Sequence, residues 1–194
     1  LFILSNAARM HWLTVGRSGL KVPAACYVTE LKTLFYHAGS QAGFLRCKRN
    51  ERRWGSHLAL VSGCVLMFVL VFLFLDWFQT DRLYPIYHPQ RWLGYLATAA
   101  ILFGAGDALV RHARTREGDW VLPVLMLLTA LTGILIHILR YAGLERWAWD
   151  LYAAHMVVTV PMLLVEIPFG KWSHMFYQPL AIYFQALKER AKVA

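Results

Sequence analysis

From His155 to His174 the chain reads HMVVTVPMLLVEIPFGKWSH, an almost uninterrupted apolar stretch with an imidazole at each end. At ~1.5 Å rise per residue, a helix over this stretch sets the two histidines roughly 28 Å apart, close to the ~30 Å hydrocarbon core of a bilayer. The apolar part occupies about 151–169, and three more runs of span length precede it, at about 54–78, 92–111 and 120–141. The 194 residues are 58% hydrophobic, above the roughly 45–50% usual in soluble domains. The excess is gathered into those runs, which predicts an all-α membrane protein: a four-transmembrane-helix bundle with amphipathic surface helices at both ends.

Three segments follow from this reading: a juxtamembrane, interfacial segment over 1–50, the bundle over 51–174, and an amphipathic helix over 175–194. Residues 1–20 reach Asn6 and Arg9 too soon to span and lack the basic-then-apolar layout of a secretory signal, so an interfacial helix or docking arm is expected. Residues 27–37 have Leu31, Leu34 and Phe35 at helical spacing, as a helix lying on a membrane surface would. Basic residues cluster before the first span (Arg46, Lys48, Arg49, Arg52, Arg53), in the second turn (Arg111, Arg114, Arg116) and in the tail (Lys188, Arg190, Lys192). The two opposite loops mix charges. By the positive-inside rule both termini are cytoplasmic, in a multi-pass protein of the cell inner membrane. The net charge of +9 is then a topology signal, with membrane lipid as its partner and no nucleic acid called for. Cys26, Cys47 and Cys64 have no cluster spacing, so neither an iron–sulfur cluster nor structural zinc is expected on this chain alone.

The topology gives depth to the histidines. His57 opens the first span and His174 closes the fourth, at the same face. His137 lies shortly before the last outer turn and His155 shortly after it, at similar depth in the outer half. Two antiparallel pairs result, His57 with His174 and His137 with His155. Neutral imidazoles on neighbouring helices suit the two axial positions of a low-spin haem iron. Gly63 and Gly133, on the spans that carry these histidines, would let a flat macrocycle approach the backbone. Arg53 and Lys171 could meet propionates at the inner site, and Arg140 at the outer one. His11, His37, His88 and His112 read as solvated. Asp107 and Glu166 are either proton-handling groups or carboxylates paired with Arg111 or Lys171.

RRWGSH at 52–57, LTGILIHILRY at 131–141 and HMVVTVPMLLVEIPFGKWSHMFY at 155–177 carry a family resemblance. From about Glu30 onward the chain resembles the gamma subunit of respiratory nitrate reductase and its relatives, among them the cytochrome b parts of heterodisulfide-reductase-like and sulfite-reduction-associated complexes. The stretch LKTLFYHAGSQAGFLRCKRNERRW is also similar to the membrane half of the tricarballylate/citrate utilisation B proteins. The resemblance implies two b-type haems, a quinone as substrate and an iron–sulfur partner. It carries ligand roles onto His57, His174 and His155. The family's remaining ligand, ten residues after His57, is here Met67. His137 in its place, Met67 itself, or a single haem are the alternatives, and the matching depth of His137 favours the first. The spacing from His155 to His174 is one residue longer than the family's, which a π-bulge near Pro161 would absorb.

These readings lead to an electron-transfer subunit of a quinone-linked oxidoreductase, with no nucleophile or acid–base pair of its own. The rivals are a haem-free anchor for a cytoplasmic redox enzyme and a small proton-relay or transport protein built on Asp107, Glu166 and the histidines.

Overall fold

The computed structural model describes residues 2–41, 51–80, 82–116, 120–166, 169–170 and 172–193; at 172–175 and 193 it describes the backbone alone. The structure is 85% helical, with no strand among the described residues. Helices α1 (Phe2–Thr14), α2 (Ala24–Thr29) and α3 (Leu31–Ser40) are followed by α4 (Glu51–Phe72), the short α5 (Leu75–Phe78), α6 (Pro89–Thr115), α7 (Val121–Tyr141), α8 (Glu145–Pro161) and α9 (Trp172–Val193). Four helical stretches are long and apolar enough to cross a membrane: Glu51–Phe72, Pro89–Thr115, Val121–Tyr141 and Glu145–Glu166. The all-α, four-span architecture is therefore as the apolar runs predict. The chain forms two compact units, one of Asn50–Met162 and one of Leu1–Arg49 with Leu163–Ala194.

In the first unit, α4 packs on α6, α6 on α7 and α7 on α8. The tightest contact joins α4 and α6. A Cβ on Gly104 would stand 2.5 Å from Leu60 Cβ and 2.6 Å from the Ser56 carbonyl oxygen. One on Gly63 would stand 2.9 Å from both Ala100 Cβ and the Ala97 carbonyl oxygen. In lipid no hydrophobic force drives helix on helix, so backbone approach at small residues has to supply the contact. Helix α6 starts on Pro89, with the His88 side chain accepting from the Gln90 N–H, a start that uses proline's missing donor where none is needed. Helix α7 ends in a Schellman turn. Gly143 takes φ +71°, its N–H donates to the Arg140 carbonyl, and the Leu144 N–H donates to that of Leu139.

Polar networks stand at both ends of this unit. At the basic end, Asp107 pairs with Arg111 and, at 3.5 Å, with Arg52, while Arg111 donates to Ser56 Oγ at 3.1 Å. At the aromatic end, the fully buried Gln90 donates to the carbonyls of Trp77 and Phe78, and the Tyr141 hydroxyl donates to the Tyr84 carbonyl.

The second unit has its own core of Val15, Tyr183, Phe184 and Leu187, with Met10, Val22, Cys26, Tyr27, Leu34 and Leu180 packed around it. The segments at either end of the sequence thus share one core. Glu30, 5% exposed, pairs with Arg190 at 2.7 Å. The Tyr183 hydroxyl donates to the Tyr27 carbonyl at 2.9 Å, and burial, with Tyr27 and Glu30 adding, pushes its phenol above the usual range.

Several boundaries move. The first span ends at Phe72, and the DWF residues form separate α5. The ERWAWD residues, expected in a turn, already belong to α8. The expected 27–37 helix breaks at Glu30, and its proposed single face divides: Leu34 faces the core while Phe35 is 70% exposed. A π-helical segment over Met162–Glu166 follows Pro161, where a one-residue bulge is expected. Close approach at Gly104 predicts that Gly104→Ala destabilises the purified protein by about 1–3 kcal/mol through overpacking. At Gly106, where a Cβ meets nothing within 4 Å, the same change should be neutral or stabilise by roughly 0.5–1 kcal/mol; unfolding midpoints of the two variants check this.

Candidate functional site

The sequence marks histidines on three spans, and the structure places two of them on neighbouring elements of the first unit. His155 on α8 lies against α7, with its Cε1 3.6 Å from where a Gly133 Cβ would sit. Its Nδ1 is 2.7 Å from Thr132 Oγ1. That hydroxyl is 2.6 Å from the Leu128 carbonyl oxygen. Two oxygens so close need a proton between them, and the hydroxyl holds the one available, so Thr132 donates to Leu128. Towards His155 it then acts as acceptor, which puts the imidazole proton on Nδ1 and leaves the Nε2 lone pair for another partner. Metal-ligating histidines are commonly held in this way, the other ring nitrogen donating to a fixed acceptor.

His137, one turn after Gly133 on α7, is engaged differently. Its Nε2 is 2.6 Å from the Tyr95 hydroxyl on α6, and a phenol is the better donor of the two. The ring also lies against Tyr141, with centroids 4.4 Å apart. Among the described residues His155 Nε2 is therefore open, whereas the Nε2 of His137 is given to Tyr95. Arg91, on the first turn of α6, has its guanidinium 5.8 Å from the Tyr141 ring centroid. Arg140 donates from Nη2 to the Thr80 carbonyl at 3.0 Å.

The remaining site residues are placed as follows. His57 is half-buried on α4, one residue from Ser56 of the basic end, and Arg53 is exposed one turn earlier. Met67 is half-buried on the same helix. Gly63 faces α6, its bare side against Ala97, Ala100 and Ile101. Lys171 and the side chain of His174 lie outside the described residues. Asp107 is paired with arginines, as one of its two readings anticipates. Glu166 folds back over Gly170, whose N–H donates to the Glu166 carbonyl.

The four histidines read as solvated are each partly buried. His11 bonds to the Tyr27 hydroxyl at 2.9 Å and packs on Phe184. His37 is half-buried, with its Nδ1 among the buried atoms. His88 stacks on Tyr84, with centroids 4.3 Å apart, and His112 is half-buried in α6. Polar side chains next to apolar helices find local partners because water is scarce there, a pressure that residue spacing does not display.

Tyr95, Thr132 and Arg91 were not singled out by sequence. A Tyr or Thr within an apolar run is ordinary, and its role depends on which helix it faces. Among the described residues no three His, Cys, Asp or Glu side chains converge. A haem iron takes its equatorial ligands from the porphyrin and asks the protein for two at most, so this does not bear on it. An open, mostly apolar groove of about 520 Å³ runs between α7 and α8, lined by Leu135, Leu139, Leu144, Trp147, Leu151 and Ala154, with Asp150 as its one charged residue. The chain matches no protein-family model, no curated protein and no solved structure.

The proton assignment on His155 is testable by itself. In protein labelled with 15N-histidine, the ring nitrogen shifts of His155 should report the Nδ1–H form, and Thr132→Val should convert them to a tautomer mixture while Thr132→Ser preserves them.

Proposed function

We propose that the chain is a cytochrome b membrane subunit of a respiratory oxidoreductase complex, carrying two b-type haems. It would exchange electrons between a membrane quinone and an iron–sulfur partner on the cytoplasmic face. The observation that carries the reading is His155: a half-buried imidazole in a span, beside a glycine, with its Nδ1 tied to Thr132 and its Nε2 lone pair open among the described residues. A donor so prepared fits an axial ligand. A bound haem supplies one-electron iron chemistry that no side chain of this protein offers.

The chain's own residues bind and orient. His155 and His137 serve the outer site, where Tyr95 has to release the Nε2 of His137. The sequence assigns His57 and His174 to the inner haem and Arg53 and Lys171 to its propionates, with Arg140 for those of the outer one. The basic end of the first unit, with Arg52, Arg53 and Arg111, suits the cytoplasmic face of the inner membrane and a partner docked there. The groove between α7 and α8 suits an apolar chain, such as a quinone tail or a lipid. On α1 the exposed residues include Leu4 and Trp12, 72% and 60% exposed, beside Ser5 and Arg9, whereas Asn6 and His11 turn inward to bond Tyr177 and Tyr27. Such a mixed face suits a membrane surface. The pairing of Asp107 with two arginines speaks against a proton relay through it.

The hold of Tyr95 on His137 favours one specific second reading, a single haem on His57 and His174. A reduced-minus-oxidised visible spectrum with a pyridine haemochromogen assay on the purified chain decides between them. Two b haems per chain are expected, one lost in His137→Ala and the other in His57→Ala. One haem, indifferent to His137→Ala, selects the second reading. No haem in folded, haem-supplied protein overturns both and leaves a membrane anchor.

A further inference from the structure

Arg91 stands out among the charged residues of the structure. It is 9% exposed and its Nε is buried without a hydrogen-bond partner among the described residues. The contact of its guanidinium is with the face of Tyr141, at 5.8 Å. Other withdrawn charges are paired: Asp107 with Arg52 and Arg111, Glu30 with Arg190. Withdrawing an ion from water costs several kcal/mol unless a counter-charge answers it. A guanidinium cannot escape by losing its proton.

Its surroundings are built to hold an anion. Arg91 lies in the first turn of α6, at the positive end of the helix dipole. The turn is fixed by Gln90, whose amide donates to the carbonyls of Trp77 and Phe78. Arg140, three residues after His137 on α7, donates to the Thr80 carbonyl, so a second cation belongs to the helix that carries His137 and Tyr141. Arg91 is four residues from Tyr95, about 6 Å along the helix, and Tyr95 touches His137.

We infer that Arg91 anchors an anion site at the aromatic end of the first unit, between α6 and α7, for a carboxylate or phosphate group. The planar fork of the guanidinium pairs with both oxygens of such a group. Two sources carry that chemistry, the propionate of an outer haem and the phosphate of an acidic phospholipid. The propionate arm rests on the function proposed above; the phospholipid arm does not.

The test uses the full chain and three variants, Arg91→Gln, Arg91→Lys and Arg91→Met, purified in mild detergent. Redox titration of the visible spectrum and phospholipid analysis of the purified protein are the readouts. If a propionate is the ligand, Arg91→Gln lowers the midpoint of one haem transition or loses that haem, and Arg91→Lys largely restores it. If a phospholipid is the ligand, the haem transitions stay put while co-purified acidic phospholipid falls in Arg91→Gln and Arg91→Met and is retained in Arg91→Lys. Folded Arg91→Gln or Arg91→Met with unchanged haem midpoints and unchanged phospholipid overturns the site, as does a melting temperature that rises in Arg91→Met, because an unliganded buried cation is better replaced by an apolar side chain. A chain without haem defeats the proposed function, and the phospholipid comparison still decides the anion site.

Discussion

The contact of α4 with α6 is the interaction on which the first unit depends. Without side chains at Gly63 and Gly104, one helix can rest on the backbone of the other. Dispersion acts over short distances, and between two helices bathed in hydrocarbon it is the main attraction available. The same approach brings Ser56 and Arg52 of α4 to Asp107 and Arg111 of α6. One packing choice thus fixes the rotation of two spans and satisfies a carboxylate that would otherwise be costly at that depth. The Gly104→Ala comparison probes this contact directly, since a single methyl there has no room.

From that pair the polar groups of the remaining spans fall into place by short hydrogen bonds. Tyr95 reaches α7 at His137, and Thr132 of α7 reaches α8 at His155. Each bond crosses one helix boundary, and each consumes a group that hydrocarbon would leave without a partner. The two histidines consequently differ. The ring of His155 is held by its Nδ1, and that of His137 by its Nε2, the nitrogen that His155 keeps open.

The spans were legible because length and apolarity alone define them, and Asp107 with Arg111 was legible because an i, i+4 pair shares one helix face. The helix boundaries were less so: ERWAWD has the charge of a turn yet begins α8, because Gly143 with Leu144 completes the reversal within a few residues. Cross-helix partners were not legible at all. A span that is apolar on every side has no polar face to show which way it is turned, so nothing in the run tells that Tyr95 meets His137 or that Gly63 meets Ala97. The shared core of Val15 with Tyr183, Phe184 and Leu187 escaped for another reason. It joins residues from opposite ends of the chain, and local periodicity carries no information about such distances.

The turn between α7 and α8 has a consequence for how the protein is made. With its reversal confined to Ala142, Gly143 and Leu144, neither helix can be placed in a bilayer far ahead of the other. So short a turn suits entry of the pair as a helical hairpin, with the backbone bonds closed within each helix. The Thr132–His155 contact would then form during insertion, between two segments that are never apart.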